Sequence, residues 1–320
     1  MEYTKPWLSL DQQLELLARR GVIIDDHDRA TSLLRAIGYY RLTGYLYPFR
    51  ESEEYIDDNG DTRKRVLDGY RPGTTLQHAE EIIDFDRRLR LLVLDGIERI
   101  EIAVRMQVGY VLGRLSAFAY EDPSYFNGSF AENHAEWLER VRKRKDGSDE
   151  QFVAHFRNKY DDRMPIWALT EILELGQLSV LYRGLKADCA AEIAEAFGVP
   201  TKRVMASWLA SLNYVRNVAA HHGRLFNRKL QYSPKRPPKG AIPLLDHLRS
   251  ERPKVFGTYD ALAVIAYLLL SIDLPSTDPR GTGWRSRMVT LLQEFPTSHA
   301  LTIQSIGVPE KWESLDLWRS

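Results

Sequence analysis

The sequence predicts an all-α fold, a multi-helix bundle with an N-terminal helical extension and a C-terminal helical segment. Three observations carry this. Apolar residues recur at steps of three and four over most of the 320 residues. Capping residues and glycines stand where such stretches begin and end. Strand-like alternation is scarce, and there is no internal repeat.

Taken in order, Ser9 and Gln12 make a capping box that opens a helix through Arg20, closed by Gly21. A second helix runs from about Asp28 to Ile37 and stops at Gly38. An aromatic-rich stretch follows, Tyr39 to Phe49, and then an acidic loop or hairpin from Glu51 to Asp61. Thr74 with Gln77 reads as a second capping box, opening a long helix to about Leu115 that Gly96 is expected to bend. Residues 116–163 are more polar, with one helix from about Ala131 to Lys145. Five of the last six residues of that helix are basic, which suits a helix C-terminus. Pro165 starts a helix containing Trp167, Leu169, Ile172, Leu173 and Leu175. Further helices are expected over Asp188–Phe197, Thr201–His222, Tyr259–Leu270 and Trp284–Phe295. Pro234, Pro237, Pro238 and Pro243 mark a stiff linker, and Pro/Gly punctuation separates the last two helices.

Composition is 44% hydrophobic and 28% charged, that of a globular chain. Lys plus Arg number 44 and Asp plus Glu 44, so a molecule-wide basic field is excluded. The single cysteine, Cys189, excludes a disulfide framework or a multi-cysteine metal site and points to a reducing compartment. The N-terminal residues lack a signal-peptide apolar core. The longest uncharged apolar run, Ala261 to Ser271, is shorter than the roughly 20 residues of a bilayer span. A soluble cytoplasmic protein with no membrane partner is expected.

Charge is nevertheless uneven. From Ala196 to Leu245 there is no acidic residue, where about 7 would be expected at the average density. The window holds Lys202, Arg203, Arg216, Arg224, Arg228, Lys229, Lys235, Arg236 and Lys239. Two readings stand. One is a face for an anionic ligand. The other is a solvated basic face balanced by acids elsewhere, such as Glu51, Glu53, Glu54, Asp57, Asp58 and Asp61.

Within this window lies the stretch that carries chemistry, Asn213 to Arg228. At about 100° per residue, Trp208, Leu212, Val215 and Ala219 form an apolar stripe. Asn217, His221, Arg224 and Arg228 form a polar stripe, provided the helix continues past Gly223. On the same reading the Asn217 amide can orient the His221 imidazole, while His222 falls toward the apolar side. A histidine moves protons near neutral pH, and an arginine grips a phosphate with a planar fork. Together they suit phosphodiester transfer without a metal: the His activates a ribose 2′-OH or protonates the leaving oxygen, and the Arg stabilises the charged phosphorane. A metal site fits poorly, because the window offers no carboxylate or cysteine. On a regular helix Arg216 and His221 diverge by about 140°. One motif also supplies one acid–base group where cleavage uses two proton transfers, so a two-fold pair of helices is expected.

Four stretches carry a resemblance: KPWLSLDQQLELLARRGVIIDD with GYYRLTGYLYPF, FDRRLRLLVLDGIERIEIAVR, MPIWALTEILELGQLSVLYRGL and SWLASLNYVRNVAAHHGRLFNRKL, spanning about residues 5–231. The chain resembles the Abi-like proteins of bacterial abortive phage infection, the AbiD/AbiF group, whose C-terminal half carries a HEPN domain. The resemblance implies a HEPN-type bundle and a metal-independent endoribonuclease with an R-x4-H motif. Arg216 and His221 would be its Arg and His, and Asn217 the polar residue after the Arg. It implies RNA as partner, a homodimer, a cognate RNA or antitoxin as a further partner, and no cofactor. It divides the chain into residues 1–130, the N-terminal helical part; 131–164, a polar connection; 165–232, the HEPN core; and 233–320, the linker and C-terminal helices. Arg224, Asn227, Arg228 and Lys229 are the RNA-binding candidates beside the motif, with His222 and Glu171 in support. The competing reading is a non-catalytic RNA-binding or interaction protein of the same fold. Two other groups admit two readings each. Glu101 and Arg105, beside Glu98, form either an ordinary i, i+4 ion pair or part of a site. Tyr39, Tyr40, Arg41 and Tyr45 either stack bases or pack a core.

Overall fold

The computed structural model describes residues 2, 4, 6–249, 257–272 and 283–319. It is mostly helical. In chain order the elements are α1 (Leu10–Arg19), α2 (His27–Ile37), α3 (Tyr39–Leu46), β1 (Arg50–Ile56), β2 (Thr62–Tyr70), α4 (Leu76–Leu115), α5 (Gly128–Ala131), α6 (His134–Asp146), α7 (Gln151–Lys159), α8 (Ile166–Leu169), α9 (Leu175–Gly184), α10 (Ala187–Ala196), α11 (Lys202–Ala220), α12 (Thr258–Ile272) and α13 (Trp284–Gln293). Two compact units result, Met1–Arg88 with Leu291–Gln304, and Leu89–Thr290 with Ser305–Ser320. The Pro/Gly punctuation expected before α13 lies largely outside the described residues.

In the first unit the Ser9 capping box forms as expected. The Ser9 N–H donates to Gln12 Oε1 at 2.9 Å, and the Gln12 N–H to Ser9 Oγ at 3.3 Å. The box at the start of α4 is displaced by one residue. Thr75 N–H donates to His78 Nδ1 at 3.1 Å, and His78 N–H to Thr75 Oγ1 at 3.4 Å, while the Thr74 hydroxyl is spent on Arg71 O. Tyr45 is fully buried and donates to Asp86 Oδ2 at 2.6 Å, so this member of the aromatic stretch packs a core.

The acidic loop or hairpin expected over Glu51–Asp61 is a hairpin, set in a mostly helical chain. β1 and β2 pair antiparallel, with Glu53 opposite Arg65, Glu54 opposite Lys64 and Tyr55 opposite Arg63. Both faces of these strands are largely exposed and charged. The polar–apolar alternation that reveals a half-buried strand is therefore missing. Arg65 Nε donates to Glu53 Oε1 at 2.9 Å, and Arg63 Nε to Asp57 Oδ2 at 2.8 Å. The Arg63 hydrogen bond, with the Asp61 and Asn59 N–H groups, holds the Asp57 carboxyl below its ordinary value.

In the second unit α4 contributes a buried stripe of Val93, Ile97, Ile100, Val104, Val108 and Val111. Gly96 leaves the helix unbroken; its role is close approach. A Cβ there would lie 2.7 Å from both Trp284 Nε1 and Ile265 Cγ2, and that Trp284 N–H donates to Leu92 O at 2.7 Å. The single helix expected after Pro165 is split. α8 passes into a 3-10 turn over Thr170–Ile172, and Leu173 is extended. Glu174 then caps α9 in a box with Gln177. The basic end of α6 is engaged locally: Lys145 bridges Asp162 at 2.6 Å and Arg144 Nε donates to Ile172 O at 3.0 Å. No helix among the described residues is long and apolar enough to cross a membrane.

Candidate active site at the end of α11

α11 is capped by Thr201, whose hydroxyl accepts from the Val204 N–H at 3.2 Å. Trp208, Leu212, Val215 and Ala219 are all buried, as their spacing predicts. The helix does not survive to Gly223. His221 is its C-cap, and its N–H reaches Asn217 O at 3.0 Å. His222 follows in the left-handed region at φ 56°. The Gly223 N–H then closes on Val218 O at 2.8 Å. A Cβ on Gly223 would sit 3.0 Å from that same carbonyl, a tight contact that glycine avoids.

This ending corrects the stripe predicted past Gly223. His221 and His222 are both exposed, so His222 does not join the apolar side. Leu225 and Phe226 are the buried residues of the loop, and Asn227 is left-handed at φ 52°. Arg228 folds back over α11: its Nε donates to the Tyr214 hydroxyl at 3.0 Å and its Nη1 to Arg224 O at 3.2 Å. Tyr232 stands edge-on to Tyr214, 5.7 Å between ring centres. Arg224, Asn227 and Arg228 are half-buried, and Lys229 is exposed. The loop, rather than a continued helix, presents these residues.

The Asn217 side chain is used differently from the expectation. Its Oδ1 accepts from Arg216 Nη1 at 3.1 Å, so it fixes the guanidinium and not the imidazole. Arg216 in turn lines an open cavity of about 360 Å³ with Leu94, Glu98, Glu101, Ile102 and Arg105 of α4. His221 stands outside that wall. Glu171 is exposed on the 3-10 turn and also stands outside it. Burial pushes the Glu101 carboxyl up, and of the acids in that segment Glu174 adds to the rise by its charge.

Glu101 is the residue that sequence reasoning undervalued. It is 8% exposed, and its Oε1 accepts from Arg105 Nη2 at 2.6 Å. That same Nη2 donates to Leu173 O at 2.9 Å. Burial raises the carboxyl above its ordinary value, and the charges of Arg105 and Arg216 offset this only in part. One signal was present in the sequence: Glu101 falls on the apolar stripe of α4, one step of four from Ile97 and one of three from Val104. A carboxylate there needs a partner that the helix itself does not fully supply. Among the described residues no group of three His, Cys, Asp or Glu is placed to hold a metal ion.

The fold and site define a helical protein with an Arg–Asn pair directed at a charged cavity and a histidine at the same helix end. The chain belongs to the Abi-like protein family, whose model matches residues 32–227. That span takes in the cavity residues of α4 and the whole of α11. No curated protein and no solved structure matches the chain.

Proposed function

We propose that the protein is an abortive-infection effector of phage defence, a HEPN-type endoribonuclease. The observation that carries this reading is Arg216, held by Asn217 in the wall of an open cavity, with His221 exposed five residues on. In the proposed reaction Arg216 holds the scissile phosphodiester. His221 takes the proton of the ribose 2′-OH as the 2′-oxygen attacks phosphorus. The P–O5′ bond breaks, and O5′ takes a proton from a second acid. The product ends are a 2′,3′-cyclic phosphate and a 5′-OH. That second acid is the same histidine of a second copy in a homodimer. The reading is supported by the side chain of His221, which is exposed and has no hydrogen-bond partner among the described residues. Arg224, Asn227, Arg228 and Lys229 would then take flanking phosphates, with His222 beside them. A cognate RNA or antitoxin is the proposed restraint on the enzyme.

The test is incubation of purified protein with total RNA in EDTA. His221→Ala is expected to keep RNA affinity and lose about 10²–10⁴-fold in cleavage. Undiminished cleavage by this variant, or cleavage abolished by EDTA, would remove the mechanism. Retained binding with no cleavage by the unchanged protein would favour the second reading, an RNA-binding protein of the same fold. The place of His221 outside the cavity that Arg216 lines is the observation in that reading's favour.

A further inference from the structure

The same cavity holds more than the motif. Its wall carries two guanidinium groups, Arg105 from α4 and Arg216 from α11, and one buried carboxylate, Glu101. Arg105 is fixed by Glu101 at 2.6 Å and by Leu173 O at 2.9 Å, both through Nη2. Its Nε is buried and has no partner. The side chain of Arg105 keeps 21% of its surface open. Arg216 spends one donor on Asn217. Glu98 lines the cavity as an exposed residue, its charge facing solvent.

Two guanidinium groups brought together repel each other unless an anion lies between them. Glu101 supplies one such charge; the wall's other acid, Glu98, is exposed to solvent, so the two half-buried guanidinium groups outnumber the buried carboxylate by one. A single phosphodiester carries the complementary charge. Leu94 and Ile102 add apolar wall beside it, suited to a ribose or a base rather than to a second phosphate. Carried further, the arrangement has two grades of residue. Arg105 offers donors to an anion, whereas Glu101 is buried and accepts from Arg105.

We propose that Arg105 is a second phosphate-binding residue of this site, gripping one phosphodiester of a single RNA strand together with Arg216, and that Glu101 is the positioning residue that fixes Arg105 by a hydrogen bond and attracts Arg216 by its charge. This rests on the reading of Arg216 as a phosphate-binding group. The inference separates two effects that simple electrostatics would merge. Removing a negative charge near a bound phosphate should tighten binding if the charge does nothing else. Removing Glu101 should weaken it, because Arg105 loses its anchor and the two guanidinium groups lose the charge that offsets their repulsion. Glu98 is the internal control, since its loss removes an equal charge and no anchor.

The experiment uses the full chain and a 2′-O-methyl RNA oligonucleotide, which binds and resists cleavage by 2′-OH attack. Affinity is measured across a salt series for Arg105→Gln, Arg216→Gln, Glu101→Gln and Glu98→Gln, with melting temperature recorded for each. Arg105→Gln is expected to lower affinity on the order of tenfold. It should also reduce the slope of log affinity against log salt by about 0.7, the value for one phosphate contact on a single strand. Glu101→Gln should weaken binding several-fold, and Glu98→Gln should leave it unchanged or tighten it. If Arg105→Gln does not fold, the double variant Glu101→Gln/Arg105→Gln leaves no buried charge unpaired and should show the same change of slope. An unchanged slope in the folded Arg105 variant, or tighter binding by Glu101→Gln, overturns the proposal. If Arg216→Gln still lowers affinity in that case, the nuclease reading survives without it. If Arg105 and Glu101 behave as expected but unmethylated RNA is never cut, the nuclease reading fails and this one stands. No RNA binding by the unchanged protein overturns both.

Discussion

His221 and His222 are neighbours with opposite circumstances. His221 still closes the last turn of α11, while His222 sits at φ 56° to let the chain reverse. A non-glycine residue in the left-handed region is held there against a penalty of about 1–2 kcal/mol. His222 is exposed, so its side chain returns little packing. His222→Gly is therefore expected to stabilise the fold by about 0.5–1 kcal/mol, after the entropic cost of a glycine is deducted. Urea unfolding would show it as a raised midpoint with unchanged slope. The turn itself was half legible, since Gly223 marks a helix end by its type. The helical angles beyond it had no meaning once the helix stopped, which is why the stripe through Arg224 and Arg228 dissolved. His78 shows a second residue effect. Burial first, and then the charge of His299, hold its ring below the ordinary value of 6.5. The ring is favoured as neutral in the fold, so the unfolded chain binds its proton more readily. Stability is full above the ordinary value and is lost as pH falls through the lower folded one. His78→Gln keeps an acceptor for the Thr75 N–H and cannot titrate. The variant should shrink the drop in melting temperature between about pH 7.5 and about pH 5; an identical drop would place the acid sensitivity elsewhere.

Among the elements, α4 was the most legible in extent and the least legible in role. Its three- and four-residue spacing gave the helix, because a long amphipathic pattern needs nothing from the rest of the chain. What Glu101 and Arg105 face is set by α11, more than a hundred positions on in the sequence, and no local pattern encodes that meeting. Gly96 belongs to the same case: a glycine in a helix signals a bend or a close neighbour, and the fold shows the neighbour. The neighbour makes a prediction. Gly96→Ala gains about 1 kcal/mol in helix propensity. Its Cβ would also strike the Trp284 ring and Ile265 and disturb the bond to Leu92 O. Overpacking of this kind costs about 1–3 kcal/mol, so net destabilisation is expected in denaturant titration. A stabilised variant would mean that Trp284 repacks freely.

At the scale of the whole molecule, one arginine–histidine motif per chain leads to the expectation of a homodimer in solution. Light scattering over a range of concentrations checks this. A strict monomer with full ribonuclease activity would contradict the pairing of two histidines in one reaction. Whole-chain charge has a less direct reading. The acids Glu53, Asp57 and Asp61, which looked available to balance the basic window, are paired inside the hairpin with Arg63 and Arg65. These three acids are thus engaged within the hairpin, whose edges carry the charged side chains that discourage further strand pairing. The basic window has partners of its own: Arg236 bridges Asp260 at 3.3 Å, and the charge of Arg216 acts on Glu101. An isoelectric point near 7.1 reports only the sum of all such charges, and chromatography by net charge would misjudge this protein's affinity for a polyanion.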